Sequence, residues 1–285
     1  MYIEKVFAAV VGGKDTLRNR FLAEAATRGL TAEQANALFC LIPEPLASAG
    51  AFLDKMTGLW RYEFGLPFDI AEELVWGTHM WAPVETLYAT VSSAQGHLPA
   101  DKRAAFLQRL ADPDAHQAAL VEMIPAHAIS AAVPIDFEVA GLGAGNRTVD
   151  WAIGPHSNRS ILLDVKRRTT DFIAQMEEMK DKGAESPPDH DPALLFRSVE
   201  QKFVAADPDT RLQGVWILTN IKQDEDRLRS AFADLDESKV HFAILGDWKR
   251  DAYLLVRREQ DRQYIMELFQ LQPSTRFTFK NPNAG

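Results

Sequence analysis

The sequence predicts an α/β protein with a helical N-terminal domain, residues 1 to 111, followed by a mixed sheet flanked by helices over residues 112 to 285. Two observations carry that expectation. Up to about residue 130 the apolar residues recur at three- and four-residue spacing, as on one face of a helix. Beyond it, short runs rich in β-branched and aromatic residues alternate with helical stretches, as in a sheet covered by helices.

In the first part, "TLRNRFLAEAATRGL" (16 to 30), "TAEQANALFCLI" (31 to 42) and "PADKRAAFLQRLA" (99 to 111) each read as an amphipathic helix. Thr31 with Gln34 has the form of a capping box. Gly29, Pro43, Pro45, Gly65, Pro67 and Pro83 divide the region into six or seven short helices. Trp60, Trp76 and Trp81, with Phe64, Phe68 and Tyr88, are expected to form an aromatic core there. The alternative is a recognition surface for a protein partner or a second copy of the chain.

In the second part, "IDFEVAGL" (135 to 142), "TVDWAIG" (148 to 154) and "SILLDVKR" (160 to 167) read as three strands joined by short turns. The "GLGAG" at 141 to 145 is a turn between strands, because a dinucleotide loop needs a helix next and "NRTVDWAIG" continues as a strand. A helical stretch near 170 to 180 and a polar, proline-bearing loop at 181 to 192 follow. Asp191 suits an N-cap and Pro192 a first helical position for a helix from about 193 to 205. The strand "GVWILTNI" (214 to 221), a helix over 225 to 235, and the strands "KVHFAILG" and "AYLLVRR" complete the pattern.

Composition narrows the function. The 285 residues are 46% hydrophobic and 25% charged, ordinary for a soluble globular protein. A net charge of -9 supplies no global positive field, which argues against a plain nucleic-acid coat but not against an enzyme with a local basic cleft. The single cysteine, Cys40, excludes an intrachain disulfide and a cysteine-based zinc cluster. The seven histidines show no HxH or HExxH spacing, and no GxSxG elbow occurs. No segment approaches the roughly 20 apolar residues of a membrane helix, and no leader-cleavage pattern follows the N-terminus, so a cytoplasmic protein without a membrane partner is expected.

The chemistry concentrates in "NRTVDWAIGPHSNRSILLDVKRR", 146 to 168. Asp150 interrupts one apolar strand, and Asp164 with Lys166 interrupts the next. Residues two apart on a strand share a face, so Asp164 and Lys166 project together, with Leu163 and Val165 turned the other way toward a helix. A hairpin between the strands would bring Asp150 alongside, at one edge of the sheet. Two close carboxylates repel and are costly to bury, and a hard divalent cation is the compensation that Asp oxygens suit.

Asp150 followed by Asp164-Val165-Lys166 resembles the PD-(D/E)xK nuclease superfamily, the restriction-endonuclease-like fold, and the order of elements extends the likeness from about 112 to 221. The resemblance implies a nuclease in which Asp150 and Asp164 bind Mg²⁺ or Mn²⁺ and Lys166 assists attack of water on a phosphodiester. It implies DNA more than RNA as the substrate, in a setting such as defence or repair. Many members add a Glu on the helix before the first strand. Glu122, in "DAHQAALVEMI", is the counterpart here, with Glu138 competing for the role. Val149 stands where the commonest pattern has proline.

Of four other acid-x-Lys triplets, Glu178/Lys180 and Glu200/Lys202 lie in helical stretches and Glu237/Lys239 in a polar turn, where they read as solvated charge. Asp247/Lys249 follows a strand, but the strand before it, "GVWILTNI", carries no acid. Arg159, Lys166, Arg167 and Arg168, with Arg147 opposite, form a local basic cluster able to hold phosphates. Leu195, Phe196, Val199 and Phe203 form one stripe, with Lys202 at its margin reading as an exposed lysine within reach of a phosphate.

Overall fold

The computed structural model describes residues 14–42, 81–112, 114–127, 129–130, 132–155, 157–168, 192–219, 225–246 and 251–273. The chain divides into two compact units, Met1–His127 and Ala128–Gly285. The boundary falls beyond the expected one at 111, so the helix bearing Glu122 belongs to the first unit.

The described part of the first unit is helical: α1 (Lys14–Thr27), α2 (Ala32–Phe39), α3 (Trp81–His97), α4 (Ala100–Ala111) and α5 (His116–Met123). Gly29, at φ +75°, turns the chain out of α1, and the Leu30 N–H returns to the Ala25 carbonyl at 3.1 Å. The capping box at Thr31 is present: its hydroxyl accepts from the Gln34 N–H and its own N–H donates to the Gln34 side chain. Phe21 and Phe39 pack edge-to-face at 5.4 Å, joining α1 to α2. Of the expected aromatic core, Trp60, Phe64, Phe68 and Trp76 lie outside the described residues. Tyr88 is 48% exposed, because the buried stripe of α3 runs through Val84, Leu87 and Ala94 instead.

The second unit is α/β. Its sheet has the spatial order β1 (Ile135–Val139), β2 (Val149–Ile153), β3 (Ser160–Arg168), β4 (Arg211–Thr219), β5 (Phe242–Gly246), β6 (Asp251–Val256) and the two-residue β7 (Gln272–Pro273). The first three strands form an antiparallel meander, β4 and β5 add in parallel, and β6 turns back antiparallel. The "GLGAG" segment is the β1–β2 turn, with Gly141 and Gly145 at positive φ.

One face of the sheet, carrying Ala152, Leu162, Val215, Ile217, Ala243 and Leu245, is covered by Leu195, Phe196, Val199 and Phe203 and by Leu228 and Phe232 of α7 (Glu225–Ala233). On the other face Trp216 meets Phe269, which ends α8 (Arg262–Leu268), a helix with no counterpart in the expected pattern. Gly214 lies directly under Phe242 of the neighbouring strand, where an added Cβ would come within 2.5 Å of the ring. This close approach explains a glycine inside a central strand.

The expected helix over 193 to 205 is broken. Only Ala193–Phe196 is α-helical (α6), Arg197 is extended, Ser198 takes a left-handed φ of 67°, and Glu200–Lys202 forms a 3-10 turn. The predicted stripe is nonetheless buried throughout. The helix starts one residue later than expected, with Pro192 at the N-cap rather than the first helical position, while Asp191 and the helix near 170 to 180 lie outside the described residues. Among the described residues no helix is long and apolar enough to cross a membrane.

Candidate metal centre

The β2–β3 ladder pairs Ile153 with Ile161, Ala152 with Leu162 and Trp151 with Leu163. One step further in the same register, Asp150 stands opposite Asp164. The pleat turns both toward the face that carries Ala152 and Leu162. The Val165 N–H donates to Asp150 Oδ2 at 2.6 Å, so a carboxylate closes the ladder where a backbone carbonyl would otherwise accept. The expected position at a sheet edge gives way to an internal one: β3 is third of the seven strands among the described residues, and Asp164 is 0% exposed.

Lys166, two residues along the same face, brings its Nζ to 2.5 Å from Asp164 Oδ2. A second ammonium arrives from the 3-10 turn after α6: Lys202 Nζ lies 3.0 Å from Asp164 Oδ1 and 3.9 Å from Asp150 Oδ1. The side chain of Lys202 is 21% exposed, so it is a site residue rather than a solvated lysine. Sequence reasoning underrated it, placing it at the margin of the stripe of Leu195, Phe196, Val199 and Phe203. Glu200 of the same triplet turns away, accepting from the Asp236 N–H at 3.1 Å.

Burial is the largest effect on Asp150, and the adjoining charge of Asp164 adds to it. Together they push its carboxyl up to about 7, against the opposing pull of the Val165 N–H and the Lys202 ammonium. Both oxygens of Asp164 are buried, with the Lys166 ammonium at Oδ2 and the Lys202 ammonium at Oδ1. Ionised carboxylate oxygens only accept, and such oxygens are the ligands a hard divalent cation takes. Asp150 and Asp164 are the residues that would hold a divalent cation here, as two carboxylate ligands.

Glu122, in the first unit, pairs with Arg109 at 2.6 Å. Glu138 precedes the β1–β2 turn, exposed and with a left-handed φ of 51°. Among the described residues no group of three or more His, Cys, Asp or Glu gathers.

Of the basic cluster, Arg159 lies apart from the carboxylates. Arg159 precedes β3, roughly 20 Å of strand away from Lys166, and clamps Asp261 at 2.5 Å and the Pro208 carbonyl at 2.9 Å. Arg168 donates to the carbonyls of Arg167 and Arg197, and Arg147 to that of Gln201. Lys166 of the group pairs with the carboxylates, and Lys202 joins it.

No protein-family model, curated protein or solved structure matches the chain significantly.

Proposed function

We propose that the second unit is a metal-dependent nuclease hydrolysing phosphodiester bonds, with Asp150 and Asp164 as ligands of Mg²⁺ or Mn²⁺. One observation carries the reading: the sheet register sets two carboxylates side by side, and lysines from two separate elements converge on them. The likeness of Asp150 and Asp164-Val165-Lys166 to the PD-(D/E)xK pattern supports it and favours DNA.

A bound divalent cation supplies a Lewis acid for a phosphoryl oxygen and for the attacking water. The residues do the rest. The paired carboxylates hold the cation. Lys166, as an ammonium, donates to the water or to a phosphate oxygen and stabilises the negative charge that develops as the bond to phosphorus forms. The buried stripe behind them keeps the site rigid.

A second reading, a non-catalytic binding module whose charge cluster is structural and whose helical unit binds a protein, draws on one fact. Two ammonium groups already balance the two carboxylates. Cleavage assays separate these readings. Single- and double-stranded DNA and RNA should be offered with Mg²⁺ or Mn²⁺ to the wild type and to Asp150→Ala, Asp164→Ala and Lys166→Ala. The nuclease reading predicts metal-dependent cleavage by wild type alone. Absence of cleavage on every substrate, or equal cleavage by all four proteins, rules it out.

A further inference from the structure

We propose that Lys202 is a resident counter-cation of this centre, held on the oxygens that a divalent cation would take and displaced when the cation binds. The inference rests on the assignment of Asp150 and Asp164 as metal ligands. It starts from an asymmetry between the two lysines. Lys166 touches one oxygen of one carboxylate, at 2.5 Å. Lys202 instead spans the pair, 3.0 Å from Asp164 Oδ1 and 3.9 Å from Asp150 Oδ1. A single positive charge between two carboxylates is what a metal ligand pair needs when no metal is bound.

The backbone behind Lys202 is fixed from two sides. Its N–H donates to the Val199 carbonyl at 3.1 Å, and the neighbouring Phe203 is buried. From the other side the β1–β2 turn clasps it. Arg147 Nη1 donates to the Gln201 carbonyl at 2.9 Å, and the Gly143 N–H donates to the Arg147 carbonyl at 2.9 Å. Gly143 approaches so closely that a Cβ there would lie 2.9 Å from the Lys202 carbonyl and 2.7 Å from that of Arg147. The turn thus sets the point from which the lysine side chain reaches the carboxylates. The side chain itself is a flexible four-carbon stem and can withdraw without unfolding the turn. Cation binding and the Lys202 ion pairs compete for the same oxygens, which makes the lysine a determinant of metal affinity.

The test is calorimetric titration of Mn²⁺ into the full chain. Lys202→Met, which removes the competing charge, is expected to bind Mn²⁺ at least about tenfold more tightly than wild type. Lys202→Arg, which keeps the charge, should remain within about threefold of wild type. Equal affinity in wild type and Lys202→Met overturns the proposal and leaves the ligand assignment standing. Absence of Mn²⁺ binding in every protein overturns both. A second measurement needs no variant: acylation of Lys202 by acetic anhydride, mapped by mass spectrometry, should rise when Mn²⁺ is added to wild type. Labelling that stays constant while Mn²⁺ binds contradicts displacement.

Discussion

Replacing Asp150 by Asn keeps an oxygen to accept the Val165 N–H and removes the group that titrates. The Asp150 carboxyl stands at about 7 in the fold against an ordinary 3.8. Between those values the folded protein retains a proton that the unfolded chain has released. The sign follows: this group's contribution to stability is fully present below about pH 4 and is lost as pH rises through about 7. The limiting slope for one proton is about 1.4 kcal/mol per pH unit. Urea unfolding of the metal-free protein in EDTA, followed by tryptophan fluorescence at pH 5, 6 and 7, measures it. Wild type should lose stability relative to Asp150→Asn by on the order of 1 kcal/mol for each unit of rising pH. Parallel pH profiles for the two proteins would refute the buried, charge-crowded environment deduced for this carboxylate.

Other perturbations test neighbouring parts of the account. Asp164→Asn leaves the Lys166 and Lys202 ammonium groups without their shared counter-charge, at a cost of about 3 kcal/mol in urea unfolding. Its thermal unfolding should also no longer respond to Mn²⁺. Gly214→Ala drives a methyl into the Phe242 ring and should destabilise the fold by about 1–3 kcal/mol by the same assay, leaving Mn²⁺ affinity unchanged. His241 is buried, its Nδ1 accepts from the Gln213 N–H, and burial lowers its pKa below 6.5. Its contribution is therefore present above pH 6.5 and lost as pH falls below it, the opposite sign to Asp150. His241→Asn, which retains an acceptor, should weaken the acid-side loss of stability measured by urea unfolding between pH 6.5 and 5.

What could be read from the sequence follows the range of the forces involved. The capping box at Thr31, the turn at 141 to 145 and the strands β2 and β3 are local patterns, and the fold contains each. The meeting of Asp150 with Asp164 was legible because a short hairpin fixes strand register. Lys202 was harder to recognise because its partners lie 38 and 52 positions earlier in the chain, in other elements. The break at Arg197 and Ser198 carries no proline or glycine signal. The internal setting of β3 arises from a parallel crossover to β4, which periodicity alone does not reveal. Arg159 shows the converse error: nearness in sequence to Lys166 suggested a shared cleft, but an extended strand carries the two far apart.

The most direct measurement of the central claim is anomalous scattering from crystals of the protein grown with Mn²⁺. The account predicts a peak within about 2.2 Å of carboxylate oxygens from both Asp150 and Asp164, with Lys202 withdrawn from them. A Mn²⁺ peak elsewhere, with the two carboxylates still bound to their lysines, would contradict it.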